Sequence, residues 1–115
     1  MVRVLVVEDH ELLSRYLCET IRARGHDVDC ATTRDEAVAN LKQRDYDIVV
    51  CDLILPDGTG HDVASLAEAR GTKTLRITGH PDEFAKMRHA GVRCLYKPFG
   101  SDQLFAAIYA EMKSA

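Results

Sequence analysis

The chain has 115 residues, 46% of them hydrophobic and 29% charged, a composition that supports one folded domain with a real core and argues against disorder. Lys plus Arg (15) against Asp plus Glu (18) gives a net charge of −3, so there is no basic face of the kind nucleic acid demands. No apolar run approaches the roughly 18 residues needed to span a membrane, and residues 1–7 are too short for a signal peptide, so the cytoplasm is the expected compartment.

In chain order, residues 2–7 form a short β-branched run closed by Glu8 and Asp9, which reads as a strand buried on both faces. Residues 11–24 carry Leu13, Tyr16, Leu17 and Ile21 at helical spacing, with Arg22 and Arg24 near the end and Gly25 positioned to close the helix. His10, at the helix start, reads as surface. Residues 27–31 make a weak, polar strand suited to a sheet edge. Thr33 with Glu36 predicts a capping box, and the helix behind it carries Ala37, Val38 and Leu41. Residues 46–51 are the second strong strand and run directly into Asp52.

Residues 53–60 contain Pro56, Gly58 and Gly60 and read as a loop. A short helix follows over residues 61–69, then a strand over residues 74–78 stopped by Gly79, His80 and Pro81. Pro81 suits the first turn of a helix ending at His89, which Gly91 terminates. Residues 92–96 form the last strand, and Ser101 or Asp102 opens a final helix with Leu104, Phe105, Ile108 and Met112 on one stripe. The four cysteines, Cys18, Cys30, Cys51 and Cys94, show no metal-binding spacing and read as small hydrophobes, and a structural disulfide is not expected in a reducing compartment.

Five strand-then-helix units imply an α/β architecture, a parallel sheet with helices on both faces. In such sheets chemistry sits beyond the carboxyl ends of the strands. Glu8 and Asp9, Asp52, Thr78 and Lys97 each follow a strand, so the topology brings three carboxylates, a hydroxyl and an amine to one crevice. Taken singly, each has an ordinary structural explanation: a helix cap, a solvated acid, strand filler, a surface cation. Together they imply a cation, because like charges packed closely are costly, and a hard divalent ion such as Mg²⁺ fits a site with few carboxylates. A carboxylate beside that ion can act as a nucleophile on phosphorus, and Asp52, on a central strand, is best placed for it.

These residues form a recognisable pattern. Val4-Leu5-Val6-Val7-Glu8-Asp9, Asp52-Leu53-Ile54-Leu55-Pro56 followed by Gly60, Thr78-Gly79 and Lys97-Pro98-Phe99 occur in order, and with them the sequence resembles the receiver domain of two-component response regulators along essentially its whole length. The resemblance implies a (βα)5 doubly wound, flavodoxin-like sandwich with a five-stranded parallel sheet of order 2-1-3-4-5, two helices on one face and three on the other. One receiver domain over residues 1–115 is expected, with no output domain in this chain, acting as a signalling module and not as an enzyme of metabolism. Asp52 would accept a phosphoryl group from a sensor histidine kinase or a histidine phosphotransfer protein. Glu8, Asp9, Asp52 and the carbonyl of Ile54 would hold Mg²⁺, Thr78 would be the switch hydroxyl, and Lys97 would contact the phosphoryl group. A cis bond is implied between Lys97 and Pro98. Homodimerisation through the face of the fourth helix, fifth strand and fifth helix would be consistent with the family, and neither nucleic acid nor membrane is expected as a partner.

Two positions depart from the family pattern, and two more bear on loss of the phosphoryl group. The second switch residue, normally aromatic, falls on Cys94, leaving Cys94 and Tyr96 as candidates for that role. Arg76 stands mid-strand where the family has an apolar residue, with exposure or stacking on Tyr96 as the two alternatives. Ile54 and His80 occupy positions that tune loss of the phosphoryl group, and apolar Ile54 implies slow autodephosphorylation. Other readings fit less well. A module that keeps the fold as a constitutive, unphosphorylated interaction platform would not need the reactive residues. A flavin binder would need a phosphate loop where Glu8 and Asp9 stand, and an Asp-nucleophile phosphatase would need an acid at Ile54.

Overall fold

The computed structural model describes residues 1–114. Alternating side chains of Arg3–Val7 (β1) face opposite ways, Val4 and Val6 into one core and Leu5 and Val7 into a second. The same alternation in Ile48–Asp52 (β3) sends Ile48 and Val50 to the first core and Val49 and Cys51 to the second. Both strands are therefore buried on both faces, which is why they read as unbroken apolar runs.

Asp27–Ala31 (β2) pairs with β1 at the sheet edge, and Lys73–Thr78 (β6) and Cys94–Tyr96 (β7) extend the sheet on the other side of β3. The order is β2-β1-β3-β6-β7, all parallel, which is the expected 2-1-3-4-5 arrangement when only these five strands are counted. Glu11–Ala23 (α1) and Ser101–Lys113 (α5) cover the first core through Leu17, Ile21, Leu104 and Ile108. Arg34–Gln43 (α2) and Gly60–Ala69 (α3) cover the second through Ala37, Leu41, Val63 and Ala67. Pro81–His89 (α4) lies on the side of α3 and buries no residue fully; its Phe84 ring packs on Tyr96 with centroids 5.1 Å apart.

Several local expectations change. Residues 53–60 are not plain loop: Ile54–Leu55 (β4) and Gly58–Thr59 (β5) form a small antiparallel hairpin. The last strand is shorter than predicted, Cys94–Tyr96, because Val92 belongs to the turn after α4, its N–H donating to the Met87 carbonyl. The predicted capping box is half formed. Thr33 Oγ1 accepts from Glu36 N–H at 3.1 Å, but the Glu36 carboxylate reaches Thr32 instead of closing on Thr33. His10 is the N-cap of α1, with Nδ1 accepting from Leu13 N–H.

The cysteine expectation is corrected. Cys18 of α1 and Cys30 of β2 are joined by a disulfide, because the side of β2 that α1 covers carries Cys30 opposite Cys18; Cys51 and Cys94 are free. Among the described residues no helix is long and apolar enough to cross a membrane.

Candidate functional site

The site begins where three parallel strands stop at the same level. Glu8 and Asp9 follow β1, Asp52 ends β3 and Thr78 ends β6. Lys97 follows β7, and its N–H donates to the Thr78 carbonyl at 2.8 Å, which fixes the start of its side chain beside the central strands. The Lys97–Pro98 peptide is cis, as the resemblance implied. Glu8 and Thr78 are wholly buried and Asp52 is 6% exposed, while Asp9 faces solvent.

Lys97 Nζ donates to Asp52 Oδ2 at 2.7 Å and also to Glu8 Oε1. Asp52 Oδ1 accepts from Ile54 N–H at 3.1 Å. One ammonium thus lies between two buried carboxylates drawn from different strands. Burial pushes the Glu8 carboxyl up to about 7; the Lys97 hydrogen bond pulls the other way, and neighbouring Asp52 adds to the rise. Burial works against the Lys97 ammonium, but its hydrogen bonds to Asp52 and Glu8 prevail and hold it above the ordinary lysine value.

The donors fit a hard divalent cation. Glu8 Oε2 is buried and has no hydrogen-bond partner among the described residues. Glu8, Asp9 and Asp52 each offer an oxygen within 4.8 Å of the others. An orphaned oxygen on one of three clustered acids is what an oxygen-seeking ion such as Mg²⁺ satisfies. An open pocket of about 290 Å³ bounded by Asp9, Asp52, Ile54, Thr78, Gly79 and His80 leaves room for a transferred group and waters.

Each side chain singled out in the sequence has a definite place. Glu8, Asp9, Asp52, Thr78 and Lys97 meet at this edge. Thr78 Oγ1 accepts from His80 N–H at 3.1 Å, so the hydroxyl is tied to the turn leading into α4. The Ile54 side chain is half exposed at the pocket rim. Tyr96 lies opposite Thr78 in the β6–β7 ladder and touches α4 through Phe84, whereas Cys94 lies opposite Arg76, one step farther from the site along each side face. Arg76 follows neither alternative drawn from the sequence. Its side chain is 14% exposed, and the guanidinium is paired with Glu68 of α3 at 3.2 Å and donates to Thr74 Oγ1 at 3.1 Å. Thr74 Oγ1 in turn donates to Glu68 at 3.1 Å, closing a polar triangle on the α3 side of β6.

Two features had no clear sign in the sequence. A Cβ on Gly60 would lie 2.0 Å from the Asp52 carbonyl oxygen, so the backbone itself touches the residue that ends β3; the Gly was visible, its contact was not. Asp57, at the hairpin tip, accepts N–H bonds from Arg34 and Asp35 of α2, a pairing across 23 and 22 residues that no local pattern marks.

Comparison with known proteins agrees with this geometry. The sequence profile described as "Response regulator receiver domain" matches residues 4–109. The transcriptional regulatory protein TcrA of Mycobacterium tuberculosis is 37% identical over 114 residues, an alignment covering 95% of this chain and 45% of that protein. The sensory transduction protein RegX3 of Mycobacterium bovis is 30% identical over 117 residues, covering 98% of this chain and 52% of that one. The chain thus spans about half the length of the curated relatives it matches. Among solved structures, the non-phosphorylated HemR receiver domain of Leptospira biflexa superposes with a TM-score of 0.81 at 28% identity, covering 98% of this chain and 95% of that one. The response regulator TrrA of Thermotoga maritima, solved in complex with Mg²⁺ and BeF, gives 0.83 at 24% identity, covering 96% and 98%.

Proposed function

The chain belongs to the response regulator receiver domain family, and on that premise we propose that Asp52 is its phosphoacceptor and that phosphorylation changes which proteins it binds. The observation that carries this reading is the seating of Lys97 Nζ between the buried carboxylates of Asp52 and Glu8, with the second oxygen of Glu8 left without a partner. We read residues 1–115 as one receiver unit, a signalling module whose donor is a histidine kinase or a phosphotransfer protein.

A carboxylate oxygen of Asp52 attacks the phosphorus of a phosphohistidine. The new oxygen–phosphorus bond forms as the phosphorus–nitrogen bond breaks, and the electron pair leaves on the imidazole nitrogen. Lys97, held beside Asp52, supplies a fixed positive charge to the transferring group. Glu8, Asp9, Asp52 and the Ile54 carbonyl would hold Mg²⁺, which supplies further charge neutralisation when bound. The complex of TrrA with Mg²⁺ and BeF supports the same assignment by analogy.

Once the phosphoryl group is in place, Thr78 Oγ1 can turn from His80 N–H toward it. That movement pulls on the turn entering α4, a helix with no fully buried residue, so its position is weakly held. Tyr96, 40% exposed and packed on Phe84, would report the change to a partner or a second copy on the α4–β7–α5 face. If Tyr96→Ala left partner affinity and its dependence on phosphorylation unchanged, Tyr96 would have no switch role. The apolar Ile54 side chain at the rim offers no hydrogen bond to an attacking water, so the phosphorylated state should last many minutes.

The test is labelling by a phosphorylated kinase or a small acyl phosphate with Mg²⁺, read by intact mass. The parent should gain one phosphoryl group and Asp52→Asn none. Equal labelling of both would remove Asp52 from this role, and no labelling of the parent by any donor would favour a constitutive interaction module.

A further inference from the structure

The hairpin after Asp52 is held at both ends. At its base, Gly60 N–H donates to the Leu53 carbonyl at 2.9 Å and Ile54 N–H donates to Asp52 Oδ1. At its tip, the Asp57 carboxylate accepts from Arg34 N–H at 2.7 Å and from Asp35 N–H at 3.0 Å. These are the first two amides of α2, donors that have no partner within their own helix. Thr33 takes the amide of Glu36, so Asp57 completes the satisfaction of that first turn from a different part of the chain.

Arg34 adds a second tie. A Cβ on Gly58 would lie 2.5 Å from Arg34 Cδ, so the arginine stem runs against the hairpin, and its Nε reaches Asp62 of α3 at 3.1 Å. The hairpin is thereby clasped between α2 and α3. Ile54 and Thr59 are paired across the hairpin, as are Leu55 and Gly58, so a shift at the tip is transmitted to the Ile54 peptide. The backbone hydrogen bonds from Asp35 and Arg34 also hold the Asp57 carboxyl below its ordinary value, consistent with an anion seated at a helix start.

We propose that Asp57 is a positioning residue for the phosphoacceptor site: by tying the hairpin tip to the first turn of α2, it fixes the Ile54 peptide against Asp52 and so sets the affinity of the acidic cluster for Mg²⁺. This rests on the reading of Glu8, Asp9, Asp52 and Ile54 as the magnesium site. It acts through backbone geometry, so its removal should loosen metal binding while the fold survives.

The experiment titrates the full chain with Mg²⁺ alone, followed by amide chemical shifts, alongside amide hydrogen exchange at Ile54 and Gly60. Asp57→Ala should weaken Mg²⁺ about tenfold, in the range seen when a residue supporting a metal ligand is removed, and should speed exchange at both amides. Asp57→Asn, whose single side-chain oxygen can still accept one of the two α2 amides, should recover part of the affinity. Thr33→Ala removes a cap from the same helix without touching the hairpin and should titrate like the parent. Parent-like affinity in Asp57→Ala, or an equal loss in Thr33→Ala, would overturn the proposal and leave Asp57 as a helix cap. Absence of any Mg²⁺ response in the parent would overturn the magnesium-site reading and this proposal with it, so the two failures are distinguishable.

Discussion

Lys97 Nζ lies 2.7 Å from Asp52 Oδ2 while also donating to the buried Glu8, so a single cation serves two carboxylates from different strands. Lys97→Met removes the charge and keeps much of the stem. Breaking a buried pair is strongly destabilising, but Glu8 can take up a proton and soften the loss. A decrease of about 2 kcal/mol in urea unfolding is expected, below the full cost of an isolated buried charge. Phosphorylation by a small acyl phosphate should slow about a hundredfold, as when one preorganised positive donor is taken from a transition state.

Glu8 makes metal-free stability depend on pH. Its carboxyl sits at about 7 in the fold against 4.5 in the reference state, so between those values the native chain holds a proton that the unfolded chain has lost. The contribution is fully present below 4.5 and is lost as pH rises through about 7. Urea unfolding without metal should therefore give this group a decline on the order of 2–3 kcal/mol between about pH 5 and about pH 8. Glu8→Gln should flatten that component; an unchanged slope in the variant would assign it to other groups.

Gly60 and Gly58 should respond very differently to alanine. A Cβ on Gly60 meets the Asp52 backbone oxygen at 2.0 Å, and neither strand β3 nor the start of α3 can move without shifting the site. Gly60→Ala should cost more than about 2 kcal/mol and abolish labelling of Asp52. A Cβ on Gly58 meets only the Arg34 side chain, a flexible stem that can give way where backbone cannot. Gly58→Ala should stay within about 1 kcal/mol of the parent in thermal or urea unfolding.

The Arg76–Glu68 pair should be asymmetric. Glu68 is half exposed, so water can replace its partner, whereas the Arg76 side chain is 14% exposed. Glu68→Ala leaves that charge with Thr74 alone and should cost about 2 kcal/mol. Arg76→Met fills the same space with an apolar chain and should cost less than about 1 kcal/mol. Equal losses in urea unfolding would contradict this account of the pair.

The sequence by itself determined the five strands of the parallel sheet, the five helices and their layering, because the buried runs of β1 and β3 and the amphipathic stripes of α1 and α5 are local periodicities, whereas the short β4–β5 hairpin carries no such period. It also determined that Glu8, Asp9, Asp52, Thr78 and Lys97 share one edge, since parallel strands joined by crossovers all end on the same side. Only the tertiary structure decided which atoms meet there. Lys97 could have faced Asp52, Glu8 or water, and the choice rests on the depth of burial and on the main-chain bond to Thr78. Arg76 found Glu68, Asp57 found the start of α2, and Cys18 found Cys30 for the same reason. Each pairing joins separate elements, and its energy depends on the distance and solvent exclusion that packing creates, which no spacing along the chain encodes.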